Sequence, residues 1–205
     1  MNHIRYHDIC IFPNLIPYSF CQDLIRQFHV GFTLGEVIEG VVSSDDVEAL
    51  KAEKFLVSKD IHLYDHERWD KYSIDLHKKY LIPAVEEYLS NYSHVLLEES
   101  AISPKSCIMS LYERGKGKFA PHQDSVAGLS PQRSLTVITY LNSVLDGGAT
   151  HFFNQDYNIQ PCQGMVAIFP SNFVYSHEGT MPISNDKYIT VSFASVDVGV
   201  GDKYK

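Results

Sequence analysis

Basic residues are scarce. Lys and Arg number 17 against 25 Asp and Glu, a formal charge of −8 with neutral His. No stretch gathers Lys and Arg into a stripe. Phosphate backbones are held by clustered cations, so this balance argues against a nucleic-acid partner. Long hydrophobic runs are also missing. None approaches the ~18 apolar residues of a membrane span, and the N-terminal residues Met1 to Asp8 have no apolar signal region. The reading excludes a membrane partner. Cysteine is sparse and unpatterned. The four, Cys10, Cys21, Cys107 and Cys162, form no C-x-x-C pair, which removes zinc-ribbon and thioredoxin-type motifs. Cys107 and Cys162 fall in apolar strands and read as reduced core residues. Together these absences point to a soluble protein of the reducing cytoplasm. There are no internal repeats and no low-complexity tracts.

What is present suits one domain: 205 residues are ample for a sizeable core. Residues 1–100 read as helical support with a lid, and 101–197 as an all-strand core. A short strand is expected over 9–15. Pro17-Tyr18-Ser19 then opens a helix to about His29, with Leu24, Ile25 and Phe28 on its apolar face. Residues 30–66 are broken by Gly31, Gly35 and Gly40. Ser43-Ser44-Asp45-Asp46 resembles a helix cap before Val47. The stretch reads as a substrate-covering loop or as an ordinary surface excursion. Trp69, Tyr72, Leu76 and Tyr80, then Leu81, Val85, Tyr88, Leu89 and Tyr92, form an aromatic stripe. It marks one amphipathic helix over about 67–92, kinked or split by Pro83. His62, His66 and His77 are assigned to this helical region and need no site. Beyond 105 come strands at 105–113, 118–123, 134–142, 149–154, 157–160, 164–170, 173–177 and 187–195, with a tight turn at Gly147-Gly148. Many short antiparallel strands behind a helical front predict a mostly β (α+β) fold. That fold is a jelly roll, or double-stranded β-helix, buttressed by helices.

The chemistry lies in the strand region. His122 and Asp124 are two apart, so a strand through them points both to one face. An imidazole and a carboxylate side by side bind a divalent metal, and two His with one carboxylate suit non-haem Fe(II). By itself the pair is equally a polar surface strand. His177 and His151 are both candidates for a third ligand. In the run Lys187 to Phe193, Ile189, Val191 and Phe193 share one apolar parity with Lys187. Lys187 either points inward, where an ammonium needs a partner, or snorkels to water from the strand end. Tyr112 ends an apolar strand and is either a ligand-facing hydroxyl or a core Tyr. Arg133 either neutralises a carboxylate at a cavity mouth or is a strand-end surface charge.

Two runs now carry a resemblance: Arg133 to Asn142 (RSLTVITYLN), and Gly147-Gly148-Ala149-Thr150-His151-Phe152. With His122-x-Asp124 and with Lys187 ten residues after His177, they resemble the 2-oxoglutarate/Fe(II) oxygenases of the prolyl 4-hydroxylase type. The entry Ile11 to Ile16, leading to Cys21 to Ile25, is similar to that family's first strand and helix. The likeness spans nearly the whole chain and is strongest over 107–197. It implies His122, Asp124 and His177 as iron ligands. It implies Lys187 as partner of the distal 2-oxoglutarate carboxylate, with Tyr112 nearby. It favours His177 over His151, because His177 and Lys187 keep the family spacing. The family often has Gly just before the basic residue. Here Ser184-Asn185-Asp186 fills that turn, and Asn tolerates positive φ.

The resemblance further implies Fe(II), 2-oxoglutarate and O2 as cofactors, with ascorbate as an accessory reductant. The expected reaction is hydroxylation of an unactivated C–H in a prolyl or other amino-acid side chain, or in a small amino-acid-like molecule. Succinate and CO2 are the expected coproducts. Two other readings stand beside it. A metal-binding jelly-roll sensor would not need Lys187 as partner to a diacid. A nucleic-acid demethylase of the same superfamily would need a basic surface, and the usual double-arginine signature after His177 is absent.

Overall fold

The computed structural model describes residues 1–40, 55–92, 97–102, 107–125 and 133–198, with 97–102 and 196–198 described through their backbone alone. Among these, fourteen strands form two facing antiparallel sheets. The larger sheet runs in the order β1 (Ile4–Tyr6), β2 (Ile9–Phe12), β12 (Val166–Pro170), β9 (Leu135–Tyr140), β14 (Lys187–Val198), β7 (Ile108–Tyr112), β5 (Lys59–His62) and β3 (Ile38–Glu39). β6 (Leu97–Ile102) pairs with the far half of β14. The smaller sheet is β11 (Tyr157–Ile159), β10 (Thr150–Phe152), β13 (His177–Gly179), β8 (Lys118–His122) and β4 (Leu56–Val57). This is a double-stranded β-helix.

Strand alternation divides the core in two. Val137, Met109, Leu111, Tyr188 and Ala194 face the helices, where they meet Leu24, Phe28, Trp69, Leu76 and Val85. The opposite parity, with Ile138, Tyr140, Tyr112 and Ile189, faces inward against Phe152, Phe169 and Ile159. The larger sheet is therefore apolar on both faces, as its sequence runs suggest.

Several expected bounds shift. Helix α1 runs Tyr18–Leu34, one turn and more beyond His29. Gly31 sits inside it, close-packed beneath Arg68 and Ile61, and Gly35 ends it with φ 75°. The first main strand stops at Phe12, because Pro13 and the left-handed Asn14 turn the chain. The aromatic-stripe helix is continuous but not uniform. A 3-10 turn (Glu67–Trp69) leads into α2 (Asp70–Leu76), a π turn (His77–Leu81) and α3 (Ile82–Ser90). Pro83 has no N–H for the carbonyl four residues back and crowds it, and the wide turn just upstream absorbs that. His77 is buried there, its ring bonded to the Ser73 carbonyl and the Ser192 hydroxyl. His62 belongs to β5, not to a helix.

Residues 173–177 are not a strand. Phe173–Tyr175 is a 3-10 turn capped by the Asn172 side chain, and the strand begins at His177. Cys162 is exposed, outside any strand, while Cys107 is fully buried. Of the supposed lid, 41–54, including the expected cap at 43–46, lies outside the described residues. Its flanks contribute β3, β4 and β5 to the two sheets. No described helix is long and apolar enough to cross a membrane.

The turn at Gly147-Gly148 takes φ 66° and 69°, and Gly147 bridges to Pro182. A Cβ at Gly147 would stand 2.3 Å from the Met181 carbonyl oxygen, whereas nothing lies within 4 Å of one at Gly35. Gly147→Ala should therefore cost more stability than Gly35→Ala: about 2–3 kcal/mol against about 1 kcal/mol. Urea unfolding midpoints of the two variants measure the difference.

Candidate active site

The site begins with a strand pairing. β13 lies between β8 and β10, so His177 stands opposite His122 on one side and Phe152 on the other. The two imidazole centroids are 4.3 Å apart. Phe119 stacks on His122 at 3.6 Å. Phe152 and Phe169 wall His177 at 5.4 and 4.9 Å. The imidazoles thus sit in an apolar frame that admits little water.

Asp124 arrives differently. β8 ends at His122, and Asp124 lies in the bend beyond it. Strand parity does not orient it, contrary to the expectation that a strand through His122 and Asp124 points both to one face. The N–H groups of Asp124 and Ser125 both donate to the Ser171 carbonyl, at 3.2 and 2.9 Å. Arg133 donates to the Asp124 carbonyl at 3.2 Å while its guanidinium stacks on Phe193 at 3.7 Å. Thr136 donates its hydroxyl to Asp124 Oδ2 at 2.7 Å. The bend is fixed from both chain and side chain.

These three residues converge. His122 Nε2 is 3.5 Å from Asp124 Oδ1, and His177 Nε2 is 3.7 Å from Oδ2. Both distances are too long for good hydrogen bonds. The three ligand atoms lie within 4.8 Å of one another. Each Nδ1 faces a backbone carbonyl: Ala120 for His122 at 2.9 Å, Tyr175 for His177 at 3.0 Å. A carbonyl only accepts, so each Nδ1 carries the proton and each Nε2 turns its lone pair to the cluster. Burial drives the His177 pKa down to about 4 despite Asp124 nearby, which keeps the ring neutral. Burial would raise the Asp124 pKa, but His177, His122 and Thr136 outweigh it and hold the carboxyl well below its usual range. Two neutral nitrogens and one anionic oxygen form a donor set that fits Fe(II) with positions left open.

Lys187 opens β14 opposite Tyr112. It is 3% exposed, so it does not snorkel. Its Nζ lies 5.4 Å from the Tyr112 ring centroid and 5.8 Å from that of Tyr140. Burial pushes its pKa down to about 7, with no acidic group of the described residues opposing the shift. Lys187 shares the inward parity of Ile189, which belongs to one core cluster with Tyr112 and with the Phe152 and Phe169 that wall His177, so ammonium and cluster share one interior. Tyr112 is buried and its phenol feels both Asp60 and Asp124. A buried cation ringed by aromatic faces is a fitting receptor for one carboxylate of a diacid.

The turn before Lys187 does not use a left-handed Asn185. Side chains hold it instead. The Ser184 hydroxyl accepts the N–H groups of Leu145 and Asp146, and Asn185 donates to the Ser143 carbonyl at 3.0 Å. Asn142 accepts the Tyr188 N–H and donates to the Asp186 carbonyl, both at 2.7 Å. That clamp sets where Lys187 enters the barrel.

His151 is set apart from the cluster. It lies on β10 next to inward-facing Phe152, and its Nδ1 meets Asn158 Oδ1 at 3.0 Å. The sequence reading passed over Thr136, Asn142, Ser171 and Asp60. Thr136 shares parity with Ile138 and Tyr140, so its inward hydroxyl was readable. Asp60 lies within 30–66, where no period is visible. It is 7% exposed, and among the described residues its Oδ1 has no hydrogen-bond partner.

Residues 107–195 match the family model described as the 2OG-Fe(II) oxygenase superfamily. No curated protein matches the sequence. Solved structures share the fold. A prolyl-4-hydroxylase from Pseudomonas putida superposes with a TM-score of 0.64 at 17% identity, covering 92% of each chain. A Trichoplax adhaerens prolyl hydroxylase, in complex with a peptide fragment of the hypoxia inducible factor oxygen degradation domain, gives 0.66 at 19% identity. It covers 91% of this chain and 83% of its own. The viral collagen prolyl hydroxylase of Paramecium Bursaria Chlorella virus-1, as a 2OG complex, gives 0.59 at 17% identity, covering 91% and 94%. Residues 107–195 thus carry the match to the 2OG-Fe(II) oxygenase superfamily, within a chain that has the fold of the prolyl 4-hydroxylases.

Proposed function

We propose that this chain hydroxylates an unactivated C–H of an amino-acid side chain, carried on a peptide or on a small amino-acid-like molecule. One observation carries the reading: the convergent His122, Asp124 and His177 cluster lies in the same interior that buries Lys187, whose ammonium has no acidic partner among the described residues. His122, Asp124 and His177 would hold the iron, and Lys187 would hold the distal carboxylate of 2-oxoglutarate with Tyr112 beside it. Iron with 2-oxoglutarate and dioxygen supplies the oxidising power, and succinate and CO2 leave as coproducts. The protein's own share is positional. Thr136 and Arg133 fix Asp124, the two backbone carbonyls fix the imidazoles, and Phe119, Phe152 and Phe169 keep water from the cluster. Prolyl peptides head the substrate panel, because the Trichoplax relative holds a peptide. The reduced cysteines and the need for ferrous iron suit a single catalytic domain of the cytoplasm.

Incubation with Fe(II), 2-oxoglutarate and a peptide and amino-acid panel should give succinate together with a product carrying one added oxygen. Iron binding without succinate on any panel member would favour the sensor reading. His177→Ala and Asp124→Ala should each weaken divalent-metal binding by more than the ~10–100-fold typical of outer-shell changes, as read by titration of the metal-free protein. Unchanged affinity in either removes that residue from the ligand set.

Lys187→Ala should leave metal binding nearly intact and weaken 2-oxoglutarate by about two to three and a half decades. That follows from the ~3–5 kcal/mol lost when a buried pair is broken from one side. The pH dependence follows from the same burial. In the free protein the ammonium loses its proton near pH 7, and a bound carboxylate raises that pKa. Binding above about pH 7 therefore takes up a proton, and affinity falls as pH rises, by up to about tenfold per unit. Calorimetry in buffers of different ionisation enthalpy reads the uptake directly. A pH-independent affinity between 7 and 9 would contradict it.

A further inference from the structure

The hairpin of β1 and β2 lies far outside the matched segment 107–195, yet its turn bonds to the residue whose carbonyl holds His177. Asp8 sits in that turn, after His7 at φ 53°. The Tyr175 phenol donates to Asp8 Oδ2 at 2.6 Å. The carbonyl of the same Tyr175 accepts the Nδ1–H of His177 at 3.0 Å. Tyr175 is 7% exposed and ends the 3-10 turn Phe173–Tyr175, so one residue joins the hairpin to the imidazole. Asp8 is itself tethered. Its Oδ1 accepts from the Tyr92 phenol and from Arg5, the latter at 3.2 Å. Its carbonyl accepts from the Tyr88 phenol at 3.0 Å. The hairpin is also docked beside the smaller sheet. Tyr6 stacks on Tyr157 at 4.5 Å and 20°, and its hydroxyl donates to the Gln155 carbonyl at 3.3 Å.

We propose that Asp8 and Tyr175 are positioning residues that aim His177 at the metal, so that the N-terminal hairpin sets the metal affinity of a site it never touches. The proposal rests on the reading of His177 as a ligand. Its physics is a lever. The peptide after Tyr175 carries the carbonyl that fixes the His177 tautomer and ring plane. Asn154 and Gln155 donate to the Val174 carbonyl at 2.8 and 3.1 Å and hold the outer part of the turn, while the Tyr175 phenol ties its last residue to the hairpin. The phenol–carboxylate bond is charge-assisted and correspondingly strong. Without it the Tyr175 peptide loses its tie to the hairpin, its carbonyl shifts against Nδ1, and the Nε2 lone pair is aimed less closely at the cluster.

The test uses the full chain stripped of metal and titrated with Co(II), read by calorimetry and by the visible absorption of the bound ion. Tyr175→Phe keeps the ring and the backbone carbonyl and removes only the phenol. It should weaken Co(II) by about 10–100-fold, as loss of an outer partner does, and shift the ligand-field bands. Asp8→Ala should do the same, and the double variant should be little worse than either single one, because both break one link. Tyr92→Phe removes a bond to the other Asp8 oxygen and leaves in place both the Arg5 bond to that oxygen and the Tyr175 bond to Oδ2. It should lower the unfolding midpoint while leaving Co(II) affinity and spectrum near wild type. Folded Tyr175→Phe and Asp8→Ala with wild-type affinity and spectrum would overturn the proposal. If His177→Ala alone then lost the metal, the ligand reading would stand and only the lever would fall. If His177→Ala also bound normally, the ligand reading itself would fail.

Discussion

Everything in this molecule is arranged about the double-sided burial of β14. It pairs with β9 and β7 along its first half and with β6 beyond. Tyr188 and Ala194 face the helices, while Lys187 and Ile189 face the interior. A strand enclosed in this way cannot slip, because a shift of one residue would exchange the two faces. It would send Tyr188 into the barrel and Lys187 into an apolar helical layer. The register that satisfies the core is therefore the one that delivers an ammonium to the inside.

That interior is hostile to charge, and the chain meets the cost in two ways. The anionic Asp124 is held on the spot by the Thr136 hydroxyl on Oδ2. Lys187 meets the Tyr112 and Tyr140 rings and no acidic group among the described residues, and burial leaves its proton weakly held. A pre-paired lysine would have to surrender its partner before it could take a diacid. An unpaired one keeps the interaction in reserve for the ligand, at the expense of some stability in the free protein. The helical layer, anchored by Trp69, Phe28 and Val85, helps hold the larger sheet rigid against that expense.

Much of this was legible from residue types and spacing. The alternation of Lys187 with Ile189 and Val191 is a local property, and it held in the fold. The shared parity of Thr136, Ile138 and Tyr140 is of the same kind. The aromatic stripe from Trp69 to Tyr92 also carried through, with Pro83 perturbing the helix one turn upstream. Other local signals misled. The His-x-Asp pair suggested a strand through both residues, whereas the strand ends at His122 and a bend presents the carboxylate. Asn185 was a reasonable left-handed residue, but the Ser184 hydroxyl and the Asn142 side chain hold that turn without one. Cys162 sits in an apolar context and is exposed, because the chain is turning there between β11 and β12.

The sequence by itself determined the two faces of the long strands β9 and β14, the fold class and the residue types able to bind a metal. All of these follow from periodicities of two and of about 3.6 residues, and a linear string displays them. Strand periodicity left His151 and His177 both open; the family spacing favoured His177, and the tertiary structure is what brings it to the cluster. His151 and His177 lie on neighbouring strands, and the pairing of β13 with β8, which sets His177 against His122, is a choice among partners far apart in the chain. Tertiary structure alone decided that Ser171 and Arg133 would hold the bend at Asp124, and that the Asp8 turn would meet Tyr175. Such contacts join residues 9 to 167 positions apart. No local period encodes them, because they exist only once the two sheets have closed on each other.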